Sequence, residues 1–170
     1  MTSASVESDG GRAWLVRVAK PELEAAGFWN EVVAIGWGAL PDLSYVGSQS
    51  ELRTLYEQSY AEEPEADVDA HVEQLHRFVR ELCEGDLVLV PLASLPGFAA
   101  IGRVAGGYEY LQDPPYGEDV HHARRVVWLA QRVPQSAIDD DVQGAFEIAD
   151  SVRELEQPDA YARVSALGGA

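Results

Sequence analysis

Leu87-Val88-Leu89-Val90-Pro91-Leu92 and Phe98-Ala99-Ala100-Ile101-Gly102-Arg103-Val104, joined through Ser94-Leu95-Pro96-Gly97, are the stretch that decides the fold. Two apolar runs of strand length around a Pro-Gly turn predict a β-hairpin. Downstream, Arg124-Arg125-Val126-Val127-Trp128-Leu129 reads as another strand, ended at Arg132-Val133-Pro134. Pro114 and Pro115 prevent regular pairing in the loop before it, because proline has no N–H to give a ladder. Upstream, residues 13–18 and 31–38 read as two more strands, the second rich in β-branched residues and closed by Gly36 and Gly38. Ser48-Gln49-Ser50-Glu51 is a capping box that opens a helix holding Leu52, Leu55 and Tyr56. Val68, Val72, Leu75, Phe78, Val79 and Leu82 recur at helical spacing and mark the clearest helix of the chain. A short helix over 22–27 and weaker ones over 141–148 and 151–155 complete the reading. The strands follow one another mostly without crossover helices, so an open parallel sheet is not expected. The expected class is α+β: a small, mostly antiparallel barrel with helices against it.

Composition narrows what such a domain does. The 170 residues suit one core. The expected organisation is a disordered leader over 1–11, a domain over 12–135, and an acidic helical extension and tail over 136–170. Cys83 is the only cysteine, which excludes an intrachain disulfide and a cysteine-built zinc site. No apolar run approaches membrane-spanning length and no secretion signal opens the chain, so the expected setting is cytoplasmic, with no membrane partner. The net charge of −17 opposes nonspecific affinity for nucleic acid, which depends on Lys and Arg neutralising phosphates. The acid is uneven: residues 57–98 hold ten carboxylates against two arginines, while residues 99–138 balance four against four.

Motifs for catalysis are scarce. The chain has no G-x-S-x-G elbow, no Walker loop and no dinucleotide fingerprint. Asp42 with Glu51-Leu52-Arg53 imitates a nuclease motif only weakly, and its usual lysine is missing. His71, His76, His121 and His122 lack metal-ligand spacing and read as solvated structural residues; neither a metal nor a cofactor is expected. Asp139-Asp140-Asp141 reads as an acidic helix N-terminus. What stands out is Gly36-Trp37-Gly38, an indole between two glycines where a strand enters a loop. Glycines permit close approach, and an indole there offers a platform for a planar or methylated group. The other reading of Trp37 is plain core packing.

The order of these segments resembles a family. Residues 14–18, then Val33-Ala34-Ile35-Gly36-Trp37-Gly38, then Asp42-Leu43-Ser44, followed by residues 74–79, 85–90, 100–104 and 126–129, resemble PUA-like modules. Among these are the EVE and YTH readers and the modules fused to Mrr-type modification-dependent restriction enzymes. The resemblance implies a curved, mostly antiparallel β pseudo-barrel with flanking helices and a concave pocket for a flipped, modified base. By position it implies Trp37, with Gly36 and Gly38, as a cage wall, and Leu43, Ser44 and Tyr108 as further pocket residues. It places Arg17, Lys20 and Arg103 at the rim or on a phosphate. The implied function is a non-catalytic reader of a methylated base in DNA or RNA, in restriction and defence or in RNA metabolism, with any effector a separate protein. The charge departs from this pattern. It favours the alternative of an acidic protein-interaction or small-ligand module of the same fold.

Overall fold

The computed structural model describes residues 11–18, 20–112 and 120–169. Residues 1–10 of the expected leader over 1–11 and most of the proline-bearing loop lie outside the described residues.

The hairpin forms as expected and is longer than its apolar core. Strand β3 is Leu87–Pro91 and β4 is Phe98–Tyr110; β5, His122–Pro134, runs back along β4. Gly97 turns the hairpin with φ +91°, a conformation that glycine adopts without steric cost. Strand β1 is Ala13–Val16, helix α1 is Glu22–Asn30, and β2 is Val32–Ile35. Helix α2, Gln49–Ser59, starts where the capping box puts it: the Ser48 hydroxyl accepts from the Glu51 N–H at 3.1 Å. Helix α3, Glu65–His76, runs on into a π-helical turn over Arg77–Glu81. Of the residues expected to pack this element, Val72, Leu75 and Leu82 are buried, Val79 is half-buried, and Phe78 is wholly enclosed.

The six strands lie in the order β2-β5-β4-β3-β1-β6, where β6 is Val152–Glu154. Four of the five pairings are antiparallel; β1 runs parallel to β3, with Trp14 opposite Val88. The sheet is open, with β2 and β6 at its edges, so the expected barrel does not close. Helices on both faces take the place of closure. Trp14, Val16, Val88, Val90, Ala100 and Val126 face α2, α3 and the π turn. Leu15, Leu87, Leu89, Ala99 and Ile101 face the C-terminal elements α4, Asp140–Gln143, and α5, Ala160–Leu167. This explains why β3 is apolar without alternation: both its faces are covered.

The C-terminal segment departs from its expected form. Residues 151–155, read as a helix, supply β6, which pairs with the free side of β1 (Val16 opposite Val152). The segment 136–170 therefore contributes to the sheet and to one of the buried clusters, and its last helix is α5. The acidic run over 139–141 does sit at the start of α4, where Arg163 bridges Asp139 and Asp141. Among the described residues no helix is long and apolar enough to cross a membrane.

Candidate functional site

Strand β2 ends beside the start of β5, where Ile35 pairs with His122 and His122 pairs with Tyr110 of β4. Two residues past β2, Trp37 has φ +61°, a left-handed backbone that is strained for a bulky residue. Its carbonyl oxygen carries the restraint. It accepts from the Leu40 N–H at 3.1 Å and from His122 Nε2 at 3.1 Å.

A carbonyl only accepts, so His122 must carry its proton on Nε2. Its Nδ1 then accepts the Tyr108 hydroxyl proton, 2.6 Å away, and the same hydroxyl accepts the Leu43 N–H at 3.2 Å. The chain Leu43–Tyr108–His122–Trp37 is complete only with a neutral imidazole. Burial pushes the His122 pKa down to about 4, against a weaker upward pull from the bond to Trp37. Burial likewise raises the Tyr108 hydroxyl.

The other side of Trp37 rests on α2 and α3. Its ring meets the His71 ring edge-on at 5.5 Å. His71 Nδ1, Tyr56 Oη and Glu63 Oε1 form a triangle with sides of 2.7, 2.7 and 2.8 Å. Burial, then the Glu63 carboxylate, raises the Tyr56 hydroxyl. Tyr60 stacks on Tyr56 at 4.7 Å, and its hydroxyl accepts the Ala39 N–H at 3.4 Å. The indole is thus fixed on two sides and half-buried, with part of its surface left to solvent. Tyr110, stacked on His121 at 4.9 Å, stands at the same end of the sheet.

The residues expected at the pocket divide. Trp37, its half-buried neighbours Gly36 and Gly38, and Tyr108 are brought together by the His122 network. Leu43 joins through its backbone alone; its side chain is 0% exposed in the core. Ser44 is exposed, with its N–H and hydroxyl both donating to Asp42 Oδ1 at 2.9 and 2.6 Å. Trp37 itself lines none of the cavities described for the domain, the nearest of which takes in Ser44 and Tyr108.

Of the residues expected at the cationic rim, Arg17 and Arg103 stand apart from the His122 network. Arg17 donates from Nε to the Asp150 carbonyl at 3.1 Å and from one terminal nitrogen to the Phe146 and Ile148 carbonyls, so it fastens the C-terminal segment. Arg103, seven residues down β4 from Tyr110, is roughly 20 Å away by strand rise. Lys20 is exposed just before α1, and its carbonyl accepts the Leu23 N–H.

Sequence reading missed His122. It is fully buried rather than solvated, and it holds the site together. The signal lay in the two-residue period of His122, Arg124 and Val126, which puts all three on the core side of β5. Arg124 is buried for the same reason.

Known structures share this architecture at low identity. The YTH domain of the Zygosaccharomyces rouxii MRB1 protein, solved in complex with N6-methyladenosine RNA, matches with a TM-score of 0.52 and 11% identity, over 94% of this chain and 86% of that one. The Pho92 YTH domain in complex with m6A gives 0.47 at 9% identity, covering 93% and 86%. The protein Atu2648 from Agrobacterium tumefaciens gives 0.40 at 13%, covering 94% of each. The fold is therefore YTH-like, which is the part of the expected resemblance that the comparison supports; the PUA-like, EVE and Mrr-fused forms are not supported by it. None of the curated proteins matches the sequence. The model of one family, the domain of unknown function DUF8426, matches residues 14–150, and the chain belongs to that family.

Proposed function

We propose that this domain is a non-catalytic reader of a methylated nucleobase, taken at the sheet end where Trp37 stands. The observation that carries the reading is the half-buried Trp37, whose strained left-handed backbone is held by His122 and whose ring is backed by His71. Strain of this kind costs about 1–3 kcal/mol and persists where the surroundings fix it, often at ligand sites. The fold likeness to a domain solved with N6-methyladenosine RNA makes that base the first candidate. Stacking on an exposed aromatic offsets the cost of extruding a base.

The test is titration of short oligoribonucleotides, with and without N6-methyladenosine, at low salt. The wild type should bind the methylated strand more tightly, and Trp37→Ala should bind both strands equally. Equal affinity of the wild type for both strands would overturn the reading.

One observation favours a second reading, an acidic interaction or small-ligand module. The formal charge is −17, and Arg17 is engaged with carbonyls instead of facing a ligand. No binding of any oligonucleotide at low salt would make that the better account.

A further inference from the structure

One cavity of this acidic domain is built around two arginines with no acidic partner. It measures about 420 Å³ and is lined by Ser44, Arg80, Cys83, Gly106, Tyr108 and Arg124, among others. Arg124 is 3% exposed. Its Nε and one terminal nitrogen donate to the Gly106 carbonyl at 3.2 and 2.9 Å, and the other donates to the Phe78 carbonyl at 2.9 Å. A guanidinium has five N–H donors, so two are left over. Arg80, on the π turn, uses one terminal nitrogen on the Ser44 and Val46 carbonyls. Among the described residues neither arginine forms an ion pair, whereas Arg12, Arg53, Arg77, Arg125, Arg153 and Arg163 all do. The nearby carboxylates are mostly engaged. Asp42 holds Ser44, and Asp86 holds the Trp14 indole and two backbone N–H groups; Glu84 stands exposed at the rim.

A second feature lies one residue from the cavity wall. Tyr45 is 89% exposed. It projects from a turn clamped on one side by Asp42 and on both flanks by Arg80, so an apolar ring is presented to water on a fixed backbone. The cavity adjoins the Trp37 network directly, because Tyr108 belongs to both.

We infer that this cavity takes a backbone phosphate of a bound nucleic-acid strand, between Arg80 and Arg124, while Tyr45 stacks the neighbouring base. The inference rests on the reader function proposed above and gives the strand its path away from Trp37. A desolvated guanidinium with unused N–H donors and no carboxylate in ion-pair contact, although Asp86 acts on it at longer range and Glu84 stands at the rim, matches a phosphate oxygen in charge and in donor geometry. An exposed tyrosine is sequence-tolerant as a stacking platform, since every base has a π-face. The subsite therefore supplies affinity, and the Trp37 site supplies discrimination.

Cys83, exposed on the same wall, provides the readout. Its alkylation by iodoacetamide is followed by mass spectrometry, alone, with inorganic phosphate, and with a short plain oligoribonucleotide, alongside binding titrations. The oligonucleotide should slow alkylation strongly. Arg80→Gln and Tyr45→Ala should each weaken binding of plain and methylated strands alike by about tenfold, and Arg80→Gln should lower the salt slope by about one. Thermal melting confirms that both variants fold. Oligonucleotide binding with an unchanged Cys83 rate, and with both variants binding like wild type, would overturn the subsite and leave the reader intact. Protection by inorganic phosphate without any oligonucleotide binding would assign the cavity to free phosphate and overturn both. Protection by neither would overturn the anion site itself.

Discussion

His122 Nε2 lies 3.1 Å from the carbonyl oxygen of Trp37, and this one bond ties the strained residue after β2 to the buried start of β5. The bond needs the imidazole neutral on its other nitrogen, where the Tyr108 hydroxyl donates. Acid should therefore act on the fold through this residue. Unfolded histidine takes up a proton near 6.5, but in the fold the value is near 4. Between those values the unfolded chain holds more protons, so stability falls as the pH drops from 6.5 toward 4. The loss amounts to about 3 kcal/mol at 1.4 kcal/mol per pH unit. Urea denaturation at pH 7 and near pH 4 should show a larger drop for the wild type than for His122→Gln, by about that amount. Equal drops would remove His122 from the acid response.

Arg17→Ala should destabilise the fold by about 3 kcal/mol, since three backbone carbonyls of residues 146–150 lose charge-assisted donors. Oligonucleotide affinity and its salt slope should stay as in the wild type. A fall in the salt slope would return Arg17 to the rim that the sequence resemblance implied.

Asp86 is buried at the start of β3. Its Oδ1 accepts the Arg12 N–H at 3.0 Å; its Oδ2 accepts the Trp14 indole N–H at 3.0 Å and the Cys83 N–H at 2.9 Å. Asp86→Asn must turn an NH2 toward at least one of these donors, whichever way the amide lies. The expected cost is about 3 kcal/mol, measured by chemical denaturation with tryptophan fluorescence. A change under about 1 kcal/mol would show that the carboxylate is not needed there.

Gly27 in α1 has no room for a side chain. A Cβ there would stand 2.7 Å from the Val32 carbonyl oxygen, and the Gly27 carbonyl itself accepts the Trp128 indole N–H at 3.0 Å. Although alanine is the better helix former, Gly27→Ala should lose about 2 kcal/mol through overpacking. Thermal melting that shows a gain instead would mean that α1 shifts freely on the sheet.

The parts of this structure that were legible in the sequence are those set by local chemistry. The apolar run of β3 marked a strand regardless of its neighbours, and Ser48 with Glu51 fixed the start of α2. Strand β6 could not be read, because Val152-Arg153-Glu154 has a single apolar residue. Its conformation comes from the free side of β1, a partner far away in sequence. The same reason hid part of the site. Trp37 was visible as an indole between glycines, and Tyr108 through the resemblance, but His122 meets them only through strand pairing. Arg17 was assigned to the rim because position along a strand says nothing about which carbonyls lie beside it. Leu43 and Arg124 both occupy inward positions whose burial depends on elements packed from elsewhere.

The pairing of β1 with β6 also has a kinetic side. Val16 sits opposite Val152, so β1 waits for a strand made much later in the chain before its outer edge is covered. Closing so long a loop is entropically slow, and high contact order lowers folding rates. Until then β1 exposes an unpaired edge of the kind that recruits other strands. A chain ending near residue 135 would keep that edge permanently and lose the layer over Leu15, Leu89 and Ile101. Such a fragment should self-associate during synthesis, where the chain that includes β6 stays dispersed.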